Sequence, residues 1–216
     1  MDVRAGLKGK TVRKIAVIGH GTAAVAGQAV ADALSYHLEN THLQIAARVA
    51  SELSGFGLKE DMSDTLVIPI TQSGTTTDTN RAVAMARERG ARIISIVNRR
   101  QSDITAKSHG VFYTNDGRDI EMSVASTKAF YSQIIAGNLL ALFFSKLMGV
   151  QEDSVIAVQL KHLESAPQWM EQIFAGRDAI AASVKKAAGK KFWAIVGSGP
   201  NKAAADEIRI KLSELC

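Results

Sequence analysis

Apolar runs of strand length alternate with stretches of helical period through residues 13–149. Residues 15–18 (IAVI) are a continuous apolar run closed by Gly19, the pattern of a strand buried on both faces. Residues 22–40 turn helical, with Ala26, Val30, Ala33, Leu34 and His37 on one face. His37 ends that stripe and reads as a core-edge histidine. Residues 43–46 suggest a weaker second strand, and residues 50–53 the start of a short helix. Residues 65–70 (TLVIPI) predict a strong third strand. Residues 78–89 follow as a helix stopped by Gly90, a good C-cap. Residues 93–97 and 110–113 predict a fourth and a fifth strand. Strands alternating with helices at this spacing imply βαβ units and a parallel sheet. Right-handed crossovers then place helices on both faces, in three αβα layers. Ligands of such sheets sit beyond the carboxyl ends of the strands.

The texture then changes. Residues 124–148 form a long helix that is apolar nearly all round, through Phe130, Ile134, Leu139, Leu142 and Phe143. It belongs either in the core or against a partner subunit. Residues 151–188 carry more charge, punctuated by Pro167 and Gly176, and predict a helical connector. An internal echo follows: IAVIGHGTAAVAG (15–27) resembles WAIVGSGPNKAAA (193–205). Gly19 and Gly21 align with Gly197 and Gly199 at one offset, each after an apolar strand (15–18 and 193–196) and before an alanine-rich helix. A lone βα unit cannot bury its own faces. The expected organisation is an α/β domain over residues 1–150, a helical connector over 151–188, and the start of a second such unit over 189–216. The chain is expected to be a piece of a longer protein.

Composition narrows the function. The formal charge is +5, but the basic residues are scattered rather than gathered with aromatics, so no nucleic-acid partner is expected. The single cysteine, Cys216, excludes an internal disulfide framework and points to a reducing compartment. Residues 1–14 lack the apolar core of a signal peptide. The longest apolar run, residues 134–144, falls short of the roughly 18 residues of a membrane span, so no membrane partner is expected. The histidines show no ligand spacing, and no metal is expected.

Three stretches carry candidate chemistry. VIPITQSGTTTDTN (67–80) runs from a strand into a loop with hydroxyls at Thr71, Ser73, Thr75, Thr76, Thr77 and Thr79. A helix N-terminus offers unpaired N–H groups and partial positive charge, so it holds phosphate with hydroxyl help and no cation. Gln72 adds an amide for a sugar hydroxyl, and Gly74 lets the backbone come close. Thr76 or Thr77 as an N-cap accounts for one or two of these hydroxyls, not for all. EMSVASTKAF (121–130) puts Ser123, Ser126 and Thr127 at the start of the long helix, where Ser123 also suits an N-cap. GHGTAA (19–24) matches G-x-G-x-x-A after a strand, the dinucleotide fingerprint. The acid expected after the second strand is missing there, and Arg48 suits a 2′-phosphate instead. An NADP-dependent oxidoreductase therefore stays open as an alternative.

ITQSGTTTDT, VASTKAF and GHGT together resemble the sugar isomerase (SIS) domain family, most closely the first such domain of the isomerising glutamine–fructose-6-phosphate aminotransferases. The resemblance covers residues 13–149 and 192–216. It implies a flavodoxin-like αβα sandwich that binds a hexose 6-phosphate, a cytoplasmic homodimer, and no cofactor. Carried over by motif, Thr22 matches the threonine of the family's GT-S turn, Thr71, Gln72, Ser73 and Thr76 match its phosphate-holding loop, which includes the substrate-binding Gly74, and Val124 and Ser126 match its sugar-contacting turn. KLSEL (211–215) is similar to a family motif in which Glu214 is the proton-transferring carboxylate and Lys211 contacts the sugar. The departures are Ala23 for a serine, Thr71 for a serine and Thr75 for a glutamate. The family's glutaminase domain and most of its second SIS unit are not in this sequence. This chain alone is expected to bind the sugar and not to isomerise it. A non-catalytic phosphosugar-sensing module is the other alternative.

Overall fold

The computed structural model describes residues 3–116 and 125–216. The elements run α1 (Val3–Lys8), β1 (Lys14–Gly19), α2 (Thr22–His37), β2 (Gln44–Val49), α3 (Ala50–Glu52) with a π-helical turn at Leu53–Gly57, and β3 (Thr65–Thr71). They continue α4 (Thr77–Glu88), β4 (Arg92–Val97), α5 (Asp103–Lys107), β5 (Gly110–Tyr113) and α6 (Lys128–Met148). Four helices close the chain: α7 (Asp153–Glu164), α8 (Ala166–Ala175), α9 (Arg177–Ala187) and α10 (Asn201–Leu215).

The five strands form one sheet in the order β2-β1-β3-β4-β5. Every pairing is parallel. Side chains alternate across it with period two. Leu66, Ile68 and Ile70 of β3 join Ile15, Val17 and Ile96 in one core, closed by α2 and α6. Val67 joins Ile18, Ile93 and Val97 in the other, closed by α4, α5 and the turn around Leu53. β3 is the central strand and is buried at all seven positions, as its unbroken apolar run requires. β2 is an edge strand, and most of its residues are exposed. That exposure weakened its hydrophobic signal, and pairing with β1 carries it on to Val49.

The chain leaves β1 toward β2 and returns to β3 on the other side of β1. Right-handed crossovers running in opposite directions put α2 and α4 on opposite faces. Their N-terminal turns therefore diverge at the carboxyl ends of β1 and β3, which is where a sheet of this kind opens a crevice.

α6 is the one described helix long and apolar enough to cross a membrane, and half of it is buried within the molecule. Its backbone lies tight against α2, where a Cβ on Gly137 would strike Val30. Its other side leaves Tyr131 and Phe143 exposed. α7 buries only Ile156, while α8 and α9 bury none of their residues.

One expected element does not form. Residues 193–196 were read as a strand, yet they carry no strand structure, and Val196 is 93% exposed. A strand exists only as part of a ladder, and no neighbouring strand lies beside this segment among the described residues. The turn and helix after it do follow the echo. Gly21 and Gly199 share a left-handed φ, +55° and +54°. Ala23 N–H donates to His20 O and Ala24 N–H to Gly21 O. Asn201 N–H and Lys202 N–H repeat those bonds to Ser198 O and Gly199 O.

Candidate functional site

Two loops meet at the β1–β3 crevice. The first is Gly19-His20-Gly21-Thr22. Gly19 is required by contact, because a Cβ there would lie 2.5 Å from Ala23 O in the first turn of α2. Gly197 is excluded from bearing a side chain by Asn201 O in the same way. The first glycine of each G-x-G is thus explained by tight packing of turn on helix, and the second by its positive φ. Arg48, the residue a 2′-phosphate would meet, sits at an exposed position of edge strand β2.

The second loop runs from Thr71 to Thr76. Thr71 ends β3 and is buried, and its Oγ1 accepts the Gly74 N–H at 3.2 Å. Ser73 Oγ accepts from the Thr75 N–H at 3.3 Å and lies 3.0 Å from Thr75 Oγ1. Gly74 has φ +69°, and a Cβ there would fall 2.5 Å from Ser102 Cβ, so only glycine fits. Asn80 Nδ2 donates to Gly74 O at 3.0 Å and to Thr76 O at 3.2 Å, pinning the loop to α4. Arg99 N–H holds Gln72 O at 3.1 Å, pinning it to the turn after β4.

Thr76 occupies the N-cap position of α4 but makes no side-chain cap bond. The expected cap therefore does not consume its hydroxyl, and among the described residues no side chain caps the N-terminal N–H groups of this helix. Thr79 is different: it is buried, and its hydroxyl has no partner among the described residues. Across the crevice, His20 Nε2 stands 3.8 Å from Asp78 Oδ2 in the first turn of α4.

A third group arrives from α10, which packs on α2 and buries Ala203, Ala205 and Glu207. Lys211 Nζ donates to Thr22 Oγ1 at 2.9 Å and to Glu214 Oε2 at 2.7 Å. It also pairs with Glu207 Oε1 at 3.4 Å. Thr22 Oγ1 in turn donates to Glu207 Oε1 at 3.1 Å. Burial pulls the Lys211 ammonium toward deprotonation, but the Glu214 bond and the Glu207 charge outweigh it and leave its pKa raised. Glu207 Oε2 is buried without a hydrogen-bond partner among the described residues.

The structure thus brings Thr22, Lys211 and Glu214 into one cluster, and gathers Thr71, Gln72, Ser73, Gly74 and Thr76 into one loop. The His20–Asp78 approach spans the crevice between the two loops. Ser126 is buried just before α6, whose N-cap is Thr127. Val124 and Ser123 lie outside the described residues. Among the described residues no group of three or more His, Cys, Asp or Glu could hold a metal ion.

Glu207 and His20 escaped the sequence reading. Glu207 lies one helical turn before Lys211, and the stripe Ala203, Glu207, Lys211 was its only signal. An acid on an otherwise alanine-lined face needs a partner, and that partner comes from another element. His20 carried no signal beyond its place in the turn.

The SIS domain family model matches residues 10–143. The isomerising glutamine–fructose-6-phosphate aminotransferase of Mycolicibacterium smegmatis is 31% identical over 208 residues, which are 95% of this chain and 32% of that protein. Its counterpart in Streptomyces coelicolor is 33% identical over the same shares. The chain spans about a third of the length of these curated relatives. Among solved structures, the C-terminal domain of glucosamine-fructose-6-phosphate aminotransferase from Francisella tularensis aligns with TM-score 0.89 at 23% identity, over 99% of this chain and 58% of that one. Glucosamine-6-phosphate deaminase from Thermotoga maritima aligns with TM-score 0.59 at 14% identity, over 78% of this chain and 53% of that one. At these identities the structural likeness establishes the fold.

Proposed function

The chain belongs to the SIS domain family, and from that premise we propose that it binds a hexose 6-phosphate of the fructose 6-phosphate or glucosamine 6-phosphate type. The observation that carries this reading is the uncapped N-terminus of α4, fronted by the hydroxyls of Thr71, Ser73 and Thr76. Backbone N–H groups and hydroxyls at a helix start suit a phosphate dianion without a lysine or arginine. Gln72 and Ser126 offer donors to the sugar, Gly74 allows close backbone approach, and Val124 follows from the motif alone.

Glu214 is the proposed proton-transferring base of an isomerase-type centre, and Lys211 a sugar-contacting cation beside it. Aldose–ketose interconversion moves one proton between C1 and C2, and a carboxylate suits that task. Glu214 would take the proton from one carbon and return it to the other, with the Lys211 ammonium beside the sugar oxygens. In the longer protein this chain would act in amino-sugar synthesis as a cytoplasmic homodimer, residues 1–150 forming the sugar-phosphate domain, 151–188 a connector and 189–216 the start of a second unit. Trp169, Ile173 and Phe174 stand exposed on α8 and supply apolar surface for a subunit contact. Sedimentation showing only monomer at tens of micromolar would remove the dimer from this reading.

Calorimetry tests the binding. Hydrogen bonds to charged groups contribute about 1.5–3 kcal/mol, so Ser73→Ala weakens fructose 6-phosphate binding roughly tenfold or more. Equal affinity in mutant and parent, or equal binding of unphosphorylated fructose, sinks the assignment. A non-catalytic phosphosugar sensor is the second reading, favoured by Ala23, a methyl where the family has a serine hydroxyl. Isomerase turnover by a longer chain, lost on Glu214→Gln, excludes the sensor.

A further inference from the structure

The turn after β4 brings two arginines to the same edge of the sheet. Thr71, Val97 and Tyr113 form one row across the carboxyl ends of β3, β4 and β5. Arg99 and Arg100 follow that row, so they stand beside the hydroxyl loop at the carboxyl end of the sheet. Adjacent strands are about 4.8 Å apart, which puts this turn within a sugar's length of the loop. The turn is fastened on both sides. Arg99 N–H donates to Gln72 O at 3.1 Å. The Arg100 guanidinium lies 4.4 Å over the Tyr113 ring and donates to Asn115 O at 3.4 Å. Both arginines are exposed. Among the described residues neither forms an ion pair with a carboxylate.

A cation held by an aromatic ring and a carbonyl keeps its full charge while its guanidinium stays positioned. Guanidinium groups favour planar, two-point contact with phosphate or carboxylate. The hydroxyl loop, by contrast, contains no basic residue.

We propose that Arg99 and Arg100 form a second anion subsite, so that the preferred ligand is a sugar 6-phosphate bearing another acidic group, phosphate or carboxylate, at its opposite end. This rests on the hexose-phosphate reading of the hydroxyl loop and adds the chemical class of the substrate.

Calorimetry with fructose 6-phosphate, fructose 1,6-bisphosphate and 6-phosphogluconate tests it on the parent chain, Arg99→Gln and Arg100→Gln, with melting curves confirming that each variant folds. The expected result is that at least one doubly anionic ligand binds at least about tenfold tighter than the monophosphate, a difference of about 1.4 kcal/mol. That preference should collapse in Arg100→Gln, while fructose 6-phosphate affinity stays within about twofold. Which of the two ligands gains identifies the second group as phosphate or carboxylate. Equal affinity for all three in the parent overturns the subsite, and so does a preference that survives both substitutions. If the monophosphate fails to bind while a doubly anionic ligand binds in an Arg100-dependent way, the hydroxyl-loop reading falls and the arginine subsite stands. If none binds, both fall.

Discussion

Lys211 Nζ lies 2.9 Å from Thr22 Oγ1, tying α10 to the first residue of α2. The two residues are far apart in sequence, and each is also bonded to Glu207 Oε1. A buried carboxylate is tolerable only when it is paired. Lys211 therefore serves the docking of α10 as well as any chemistry at the crevice.

Lys211→Met removes the cation and leaves Glu207 buried without its counter-charge. The expected loss of stability is about 1–3 kcal/mol, and adding Glu207→Gln should recover part of it. Urea denaturation of the parent, both single variants and the double variant gives the coupling directly. Strictly additive losses would show that the pair does not hold α10 in place.

Gly74→Ala tests the shape of the hydroxyl loop. The left-handed φ of +69° alone costs about 1–2 kcal/mol for an L side chain. The new Cβ also meets Ser102 and Ile104, so the loop must shift. The variant should melt lower and lose measurable fructose 6-phosphate binding together. Normal affinity with normal stability would mean that the loop does not need this backbone.

Gly137→Ala tests the close approach of α6 to α2. Its Cβ would stand 2.7 Å from Val30 Cγ1. Overpacking of this kind costs about 1–3 kcal/mol. Val30→Ala made in the same chain should return much of that loss, whereas the two changes would add if the helices were loosely packed. Thermal melts of the three variants decide between these outcomes.

His37 gives a pH signature. Its side chain is buried, and burial pushes its pKa below the ordinary 6.5, partly offset by the bond to Gln151. The unfolded chain therefore takes up the proton first as the pH falls. The stability that this group contributes is complete above 6.5 and is lost as the pH drops through the lower folded value. Melting temperature should fall between about pH 7.5 and about pH 5.5, and less so in His37→Gln. An equally steep fall in that variant would assign the effect to other groups.

Much of the fold was legible in the sequence because burial on both faces leaves a plain mark. β1 and β3 carry unbroken apolar runs, β4 is interrupted only by the buried Ser95, and the first G-x-G turn announces where a helix starts against a strand. The hydroxyl loop was legible for a similar reason, since so many hydroxyls at a strand end exceed what a helix cap needs. What stayed hidden depends on neighbours. Residues 193–196 have the composition of a strand but no ladder to join, and strand structure is a property of the pair. β2 carried a weak signal because an edge strand faces solvent. α1 and α5 are too short for a period to show. Glu207 carried almost no signal and Lys211 stood out only by family resemblance; the packing of α10 on α2 placed both at Thr22. Helical spacing determines which side chains share a face; which surface that face meets was decided by the tertiary fold, because such contacts join residues the chain itself keeps far apart.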